Sequence, residues 1–402
     1  MSAPTMPAAA ASAPGLAPAA PLAPPFSCLR ETTSPLEGHS ALSIAIAPGA
    51  MDLSRDAPAL LCVAGGEHYG ISGGGSLTVF GVSDQGRLAP MRRYATPFPL
   101  FDCSWSPLQS GSLISASGGH GTTLLFSTHE SDDRPTLIFA EPHDGDALST
   151  RWNTLNAELL ITSGSDGFVK MRNVFRPEAG AVGRFAASQA LATMAAPPGR
   201  ALPPVYSALW SPASPFIFAG TIGTGIALWD TRVHGRSASP GGADVQNEVL
   251  FAATHASGEC LDLAWAPPAK GLPTVCCTAG TDATLSIMDW KYVSAGNGPG
   301  VVTRLFGHSR AIKRVVWWGP TAPGATDLIG SASYDATVTI WDADRQIAID
   351  RYSAGREPLA AIDFGPPGAL GRLKVAGGPL CPEVTVVSGG FDGVVTMREL
   401  GR

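Results

Sequence analysis

Charge is scarce in this chain of 402 residues: Asp, Glu, Lys and Arg make up 15% of it, and the net charge of −6 is spread without a basic run. Such a field repels nucleic acid instead of collecting it, so a sequence-reading nucleic-acid role is disfavoured. The seven cysteines (28, 62, 103, 260, 276, 277 and 381) are odd in number and form no Cys-x-x-Cys pair. They fit buried thiols in a reducing compartment, and neither a disulfide framework nor a zinc site is indicated. No window reaches transmembrane length. Residues 1–25 have no initial positive charge, no uninterrupted apolar stretch and no Arg, so they are not a secretory signal and make a poor mitochondrial presequence. Pro at their density blocks a helix, so they are expected to form a disordered leader.

What the chain does have is 47 Gly, 35 Pro and 45% hydrophobic residues, the composition of short buried strands joined by tight turns. The stretch from Gly307 to Asp342 shows the unit. It runs Gly-His, an apolar strand ending in Trp317-Trp318, then Ser-Ala-Ser-Tyr-Asp-Ala-Thr-Val-Thr-Ile-Trp-Asp. Such a unit cannot bury both faces alone, so one copy requires others.

Seven copies emerge, with first-strand anchors Ile46, Trp105, Trp152, Trp210, Trp265, Trp317 and Phe364 spaced 47 to 59 residues apart. Each is followed by a Ser/Gly/Ala-rich second strand, a tight turn and an alternating third strand. The expectation is an all-β, seven-bladed WD40 β-propeller over residues 26–402. The last copy ends with its third strand, so residues 26–34 are expected to supply its outer strand and close the ring. Extra length at Arg176 to Pro204 and Val233 to Asn247 reads as surface loops, each with an outer strand nearby.

The turn between second and third strands carries Asp166, Asp282, Asp335 and Asp392. In the Gly307–Asp342 copy a chain of hydrogen bonds through Trp341, Ser331, His308 and Asp335 is expected, echoed by Asp166 with His143 and Asp282 with His255. A Ser-His-Asp trio invites a catalytic reading, but this one recurs with the repeat and tracks architecture. No catalytic residue, metal site or cofactor is expected.

Three segments depart from ordinary repeat grammar. They are His68-Tyr69-Gly70-Ile71-Ser72-Gly73-Gly74-Gly75-Ser76-Leu77, Leu100-Phe101-Asp102-Cys103-Ser104-Trp105-Ser106-Pro107 and Gly307-His308-Ser309-Arg310-Ala311-Ile312-Lys313-Arg314-Val315. The first lies between strands and lacks the Lys of a P-loop. Together they resemble the WD40 peroxins that serve as receptors for type-2 peroxisomal targeting signals, in blade order over about residues 26–402. Departures remain. Trp-Asp survives only at Trp229-Asp230 and Trp341-Asp342, the fourth turn reads Gly223-Thr224-Gly225, and His120 stands near the turn position of the second blade. Those blades are expected to be looser or bonded differently.

The resemblance implies a receptor that binds a nine-residue amphipathic signal helix near the N terminus of cargo proteins. It also implies a co-receptor (a dedicated peroxin or a long form of the type-1 signal receptor), docking peroxins at the peroxisomal membrane, and cycling between cytoplasm and peroxisome or a specialised relative such as a glycosome. Neither nucleic acid nor a small-molecule substrate is implied. Cargo binding calls for an apolar groove flanked by acids. Positions just before each first strand and before each turn Asp should crown one face. Asp102, Asp146, Glu259 and Glu357 are placed at the first set, Tyr334 and Phe391 at the second, and Tyr206 nearby. The alternative is a generic WD40 scaffold in a multiprotein complex.

Overall fold

The computed structural model describes residues 27–47, 60–82, 87–108, 113–129, 134–193, 202–234, 247–254, 256–268, 271–292, 300–319, 326–365 and 384–401. The leader at 1–25 therefore lies outside the described residues, as do most of the second insertion (235–246) and His255. The described strands form seven four-stranded antiparallel sheets, the blades of a β-propeller. Six are built from consecutive strands, and the seventh takes its outermost strand from Ser27–Pro35. That strand pairs with Val394–Gly401, Ser27 opposite Gly401 and Pro35 opposite Val394, so the expected closure is present.

Alternation of apolar and small residues lets each blade bury both faces. Seven apolar clusters result, one between each pair of neighbouring blades. The cluster that closes the ring sets Ala361, Val387, Val395 and Met397 of the seventh blade against Ile44, Leu61, Val63 and Phe80 of the first. Burying side chains of this size stabilises by roughly 1.5–3 kcal/mol each.

The anchor residues end the inner strands at one mouth of the central channel. There Trp105, Trp152 and Trp265 each donate an indole N–H to the carbonyl just before the preceding anchor: Ala45 at 2.9 Å, Ser104 at 3.1 Å and Leu209 at 3.2 Å. Anchors thus tie blade to blade as well as filling space, and they border a cavity of about 600 Å³ at that mouth.

In the sixth blade the expected polar chain is complete. Trp341 Nε1 donates to Ser331 Oγ (2.8 Å), Ser331 meets His308 Nε2 (2.8 Å), and His308 Nδ1 meets Asp335 (3.0 Å). The third blade keeps His143 with Asp166 and Thr162, but the buried guanidinium of Arg172 replaces the indole, donating from Nε to Thr162 Oγ1 at 3.3 Å. The trio is therefore a repeated scaffold element. In the fourth blade Gly220 stands where the sixth has Ser331, and the buried indole N–H of Trp229 meets no acceptor among the described residues. The first insertion also differs from expectation. Beyond the outer strand Ala181–Ala186 it forms a short helix, Ala187–Thr193, whose Ala187 and Ala190 enter the core between blades three and four.

Candidate functional site

Five inner strands, those of blades two, three, five, six and seven, open the same way, and this geometry fixes which residues reach the face opposite the tryptophan mouth. The residue before the strand offers its carbonyl to the N–H of the residue leading into the turn between second and third strands. The pairs are Pro99 with Gly119, Asp146 with Ser165, Glu259 with Thr281, Ala311 with Tyr334, and Pro358 with Phe391. Both sets of rim positions thus lie at one end of the ring. Past the opening residue of each the register shifts by one, and the bulge sets Asp102, Asp262 and Arg314 where they meet across the channel.

Asp102 consequently does not crown the rim. It is the second residue past Leu100, it is fully buried, and Pro99 holds the rim position of its blade. Its carboxylate accepts from Ser43 Oγ (2.6 Å), Thr150 N (3.0 Å), Arg314 Nη2 (2.8 Å) and Arg151 Nη1. Burial opposes its charge, yet Arg151 and Arg314 outweigh this and hold its carboxyl below the usual carboxylate range. Arg314 also faces Asp262 at 3.7 Å, so charges from blades two, three, five and six interlock across the channel. Such a pair is a locking device; stripping one partner would leave a buried charge uncompensated.

The other placed residues do reach the rim. Asp146 and Glu259 directly precede their inner strands, and Glu357 stands one residue earlier, beside Pro358. Tyr206 Oη donates to Glu259 at 3.1 Å, and Lys313 Nζ lies 5.7 Å from the centre of the Tyr206 ring. Burial and the Glu259 charge push the Tyr206 hydroxyl up to about 12. Tyr334 and Phe391 pack at a tilt of 43° with ring centres 5.7 Å apart, and Tyr69 joins Phe391 edge-on at 5.6 Å. Asp146 is half-buried, and its backbone N–H donates to Ser165 Oγ at 2.8 Å. Glu357 and Tyr334 share the wall of a smaller cavity between blades six and seven.

Rim positions alone could not single out Tyr69, because it follows a second strand in a segment without the usual turn Asp. The backbone explains its place. His68, Tyr69 and Gly70 all adopt positive φ (45°, 63° and 74°), with the Glu67 carboxylate accepting from Gly74 N at 2.9 Å. Gly70 holds the positive φ where any Cβ is strained. The strained turn leaves Tyr69 at 55% and Ile71 at 84% exposure, an apolar continuation of the Phe391–Tyr334 stack. The signal for Tyr69 was its segment, one of the three that carried the resemblance.

No family model matches the chain. It is 26% identical over 319 residues to the peroxisomal targeting signal 2 receptor of Saccharomyces cerevisiae, covering 70% of this chain and 77% of the yeast protein. The chain resembles the type-2 signal receptors. The receptors of the same name from mouse and human are 30% identical over 172 residues, covering 42% of this chain and about half of theirs (48% and 47%). A shorter match, 31% over 78 residues, is to a probable cytosolic iron-sulfur protein assembly protein of Dictyostelium discoideum, covering 18% of this chain and 22% of that protein. The receptor matches thus extend well beyond a blade or two.

Proposed function

We propose that this chain is a receptor for an N-terminal type-2 peroxisomal targeting signal. It binds the signal as an amphipathic helix and, with a co-receptor, delivers cargo to docking peroxins at the organelle membrane. The observation that carries the reading is the composition of one rim: the apolar arc Tyr69–Phe391–Tyr334, with Tyr206 and Glu259 hydrogen-bonded beside it. Similarity to proteins named for that signal supports it as the ligand of the arc. A nine-residue helix is marginal alone in water, so its apolar stripe must recover the ordering cost on the aromatic arc. Its cationic end would meet Glu259 and Asp146 by charge-assisted hydrogen bonds. The working cycle between cytoplasm and peroxisome, or a glycosome-like relative, belongs to the same reading, and no catalytic step does.

Glu259→Lys and Asp146→Lys test it, because both side chains lie outside the strands and leave the channel network intact. Each is expected to weaken binding of a synthetic signal peptide by about tenfold or more, with an unchanged circular dichroism spectrum and melting temperature. Unaltered peptide affinity in both variants would remove the acids from the site.

A further inference from the structure

The rim is not uniformly acidic. Between blades six and seven a cavity of about 390 Å³ is walled by Ser309, Arg310, Tyr334, Asp335, Arg356 and Glu357, with Ala336 and Pro358 at its edges. The charge of Asp335 is already used: its Oδ2 accepts from Ser309 N (3.0 Å) and Arg351 Nη2 (3.1 Å) and pairs with His308 Nδ1 (3.0 Å). Arg310 and Arg356 are exposed, and among the described residues neither guanidinium has a carboxylate within ion-pair distance. Glu357 likewise has no such partner, and the Tyr334 hydroxyl meets no hydrogen-bond partner among the described residues. The cavity therefore offers two guanidinium forks and a phenol hydroxyl against one uncommitted carboxylate.

We propose that this cavity is a second, cationic subsite of the rim, which takes the carboxylate of an acidic residue in a protein segment lying across Tyr334 and Phe391. Two forks can each bind a carboxylate through paired N–H donors. Glu357 on the wall leaves the site with one net positive charge, which suits a monoanion and disfavours a phosphate dianion. The wall also fixes the context of the acid. Tyr334 belongs both to the cavity and to the stack with Phe391, so the residue beside the acid must be apolar. Glu259, with Tyr206, marks the opposite polarity on the same face, so a segment bound here is oriented by charge: basic end toward Glu259, acidic residue toward Arg310 and Arg356. The inference rests on the receptor reading only in taking this face as the working surface.

The test uses the full chain and two kinds of probe. In the first, the side-chain Nε–H resonances of Arg310 and Arg356, assigned by Arg→Lys variants, are followed while capped Leu-Glu-Leu, capped Leu-Gln-Leu or inorganic phosphate is added. Shifts with the Glu peptide alone are expected. No shift, or equal shifts with the Gln peptide or phosphate, overturns the subsite. In the second, a signal peptide carries Glu, Gln or Lys at successive positions of its last turn. At one position the Glu form should bind about five- to tenfold tighter than the Gln form. The double variant R310E/R356E should reverse the preference toward Lys. A preference unchanged by the double variant contradicts the proposal. Failure of the Gln form to bind the wild-type chain at all, with the tripeptide shifts present, would sink the receptor reading and leave the subsite standing.

Discussion

Trp341 and Trp229 occupy the same place in two blades and differ in what the indole N–H meets. Ser331 accepts it in the sixth blade, whereas Gly220 leaves it without an acceptor in the fourth. A satisfied buried N–H contributes about 1 kcal/mol, and an orphaned one contributes nothing that Phe would lose. Trp341→Phe is therefore expected to cost about 1 kcal/mol more than Trp229→Phe in urea unfolding; equal losses would show that Ser331 contributes no net bond. Asp363 gives the pH prediction. Burial raises its carboxyl to about 6, against the lowering by the N–H groups of Ile46 (2.8 Å) and Phe364 (2.8 Å). A folded value above the unfolded one favours the protonated acid, so its contribution is present below about pH 4 and is lost as pH rises through about 6. Asp363→Asn should then stabilise the chain by on the order of 1–2 kcal/mol at pH 7.5, with the gain vanishing near pH 4. A gain that does not change with pH would contradict this.

At the scale of the element, the outer strand Ser27–Pro35 is the testable piece. It covers the open edge of Val394–Gly401 and completes the seventh blade. Removal of residues 1–34 is expected to lower the melting temperature by on the order of 5–10 °C, while removal of 1–24 leaves it unchanged. Equal melting of the two truncations would mean that the strand adds nothing. This strand was readable in the sequence because seven anchors and a final blade one strand short leave only the N-terminal segment to fill the gap. Asp102 breaks the spacing of the other acids. Asp146 and Glu259 stand six residues before their anchors Trp152 and Trp265, whereas Asp102 stands three before Trp105; the same count reaches Pro99, and Asp102 faces Arg151 and Arg314. The helix Ala187–Thr193 was hidden for another reason. Ala and Ser at that density read as loop, and only the apolar core between blades three and four gives Ala187 and Ala190 something to bury against. That the guanidiniums of Arg310 and Arg356 have no carboxylate partner among the described residues carries no sequence signal, since pairing is decided by neighbours from other blades.

Across the whole molecule the two ends of the ring divide the work. Tryptophan anchors close one mouth, buried ion pairs from four blades lock the channel, and the opposite rim carries the aromatic arc with acids on one side and guanidiniums on the other. That division lets the rim residues change charge without unfolding the ring. The most direct measurement of the receptor reading is a fluorescence-anisotropy titration of the full chain with a labelled type-2 signal peptide, run with and without a candidate co-receptor. A peptide with Pro placed mid-helix serves as control. Saturable binding of the signal, strengthened by the co-receptor and lost with the Pro control, is the result expected. Absence of binding in both conditions, or equal binding of the Pro control, would contradict it.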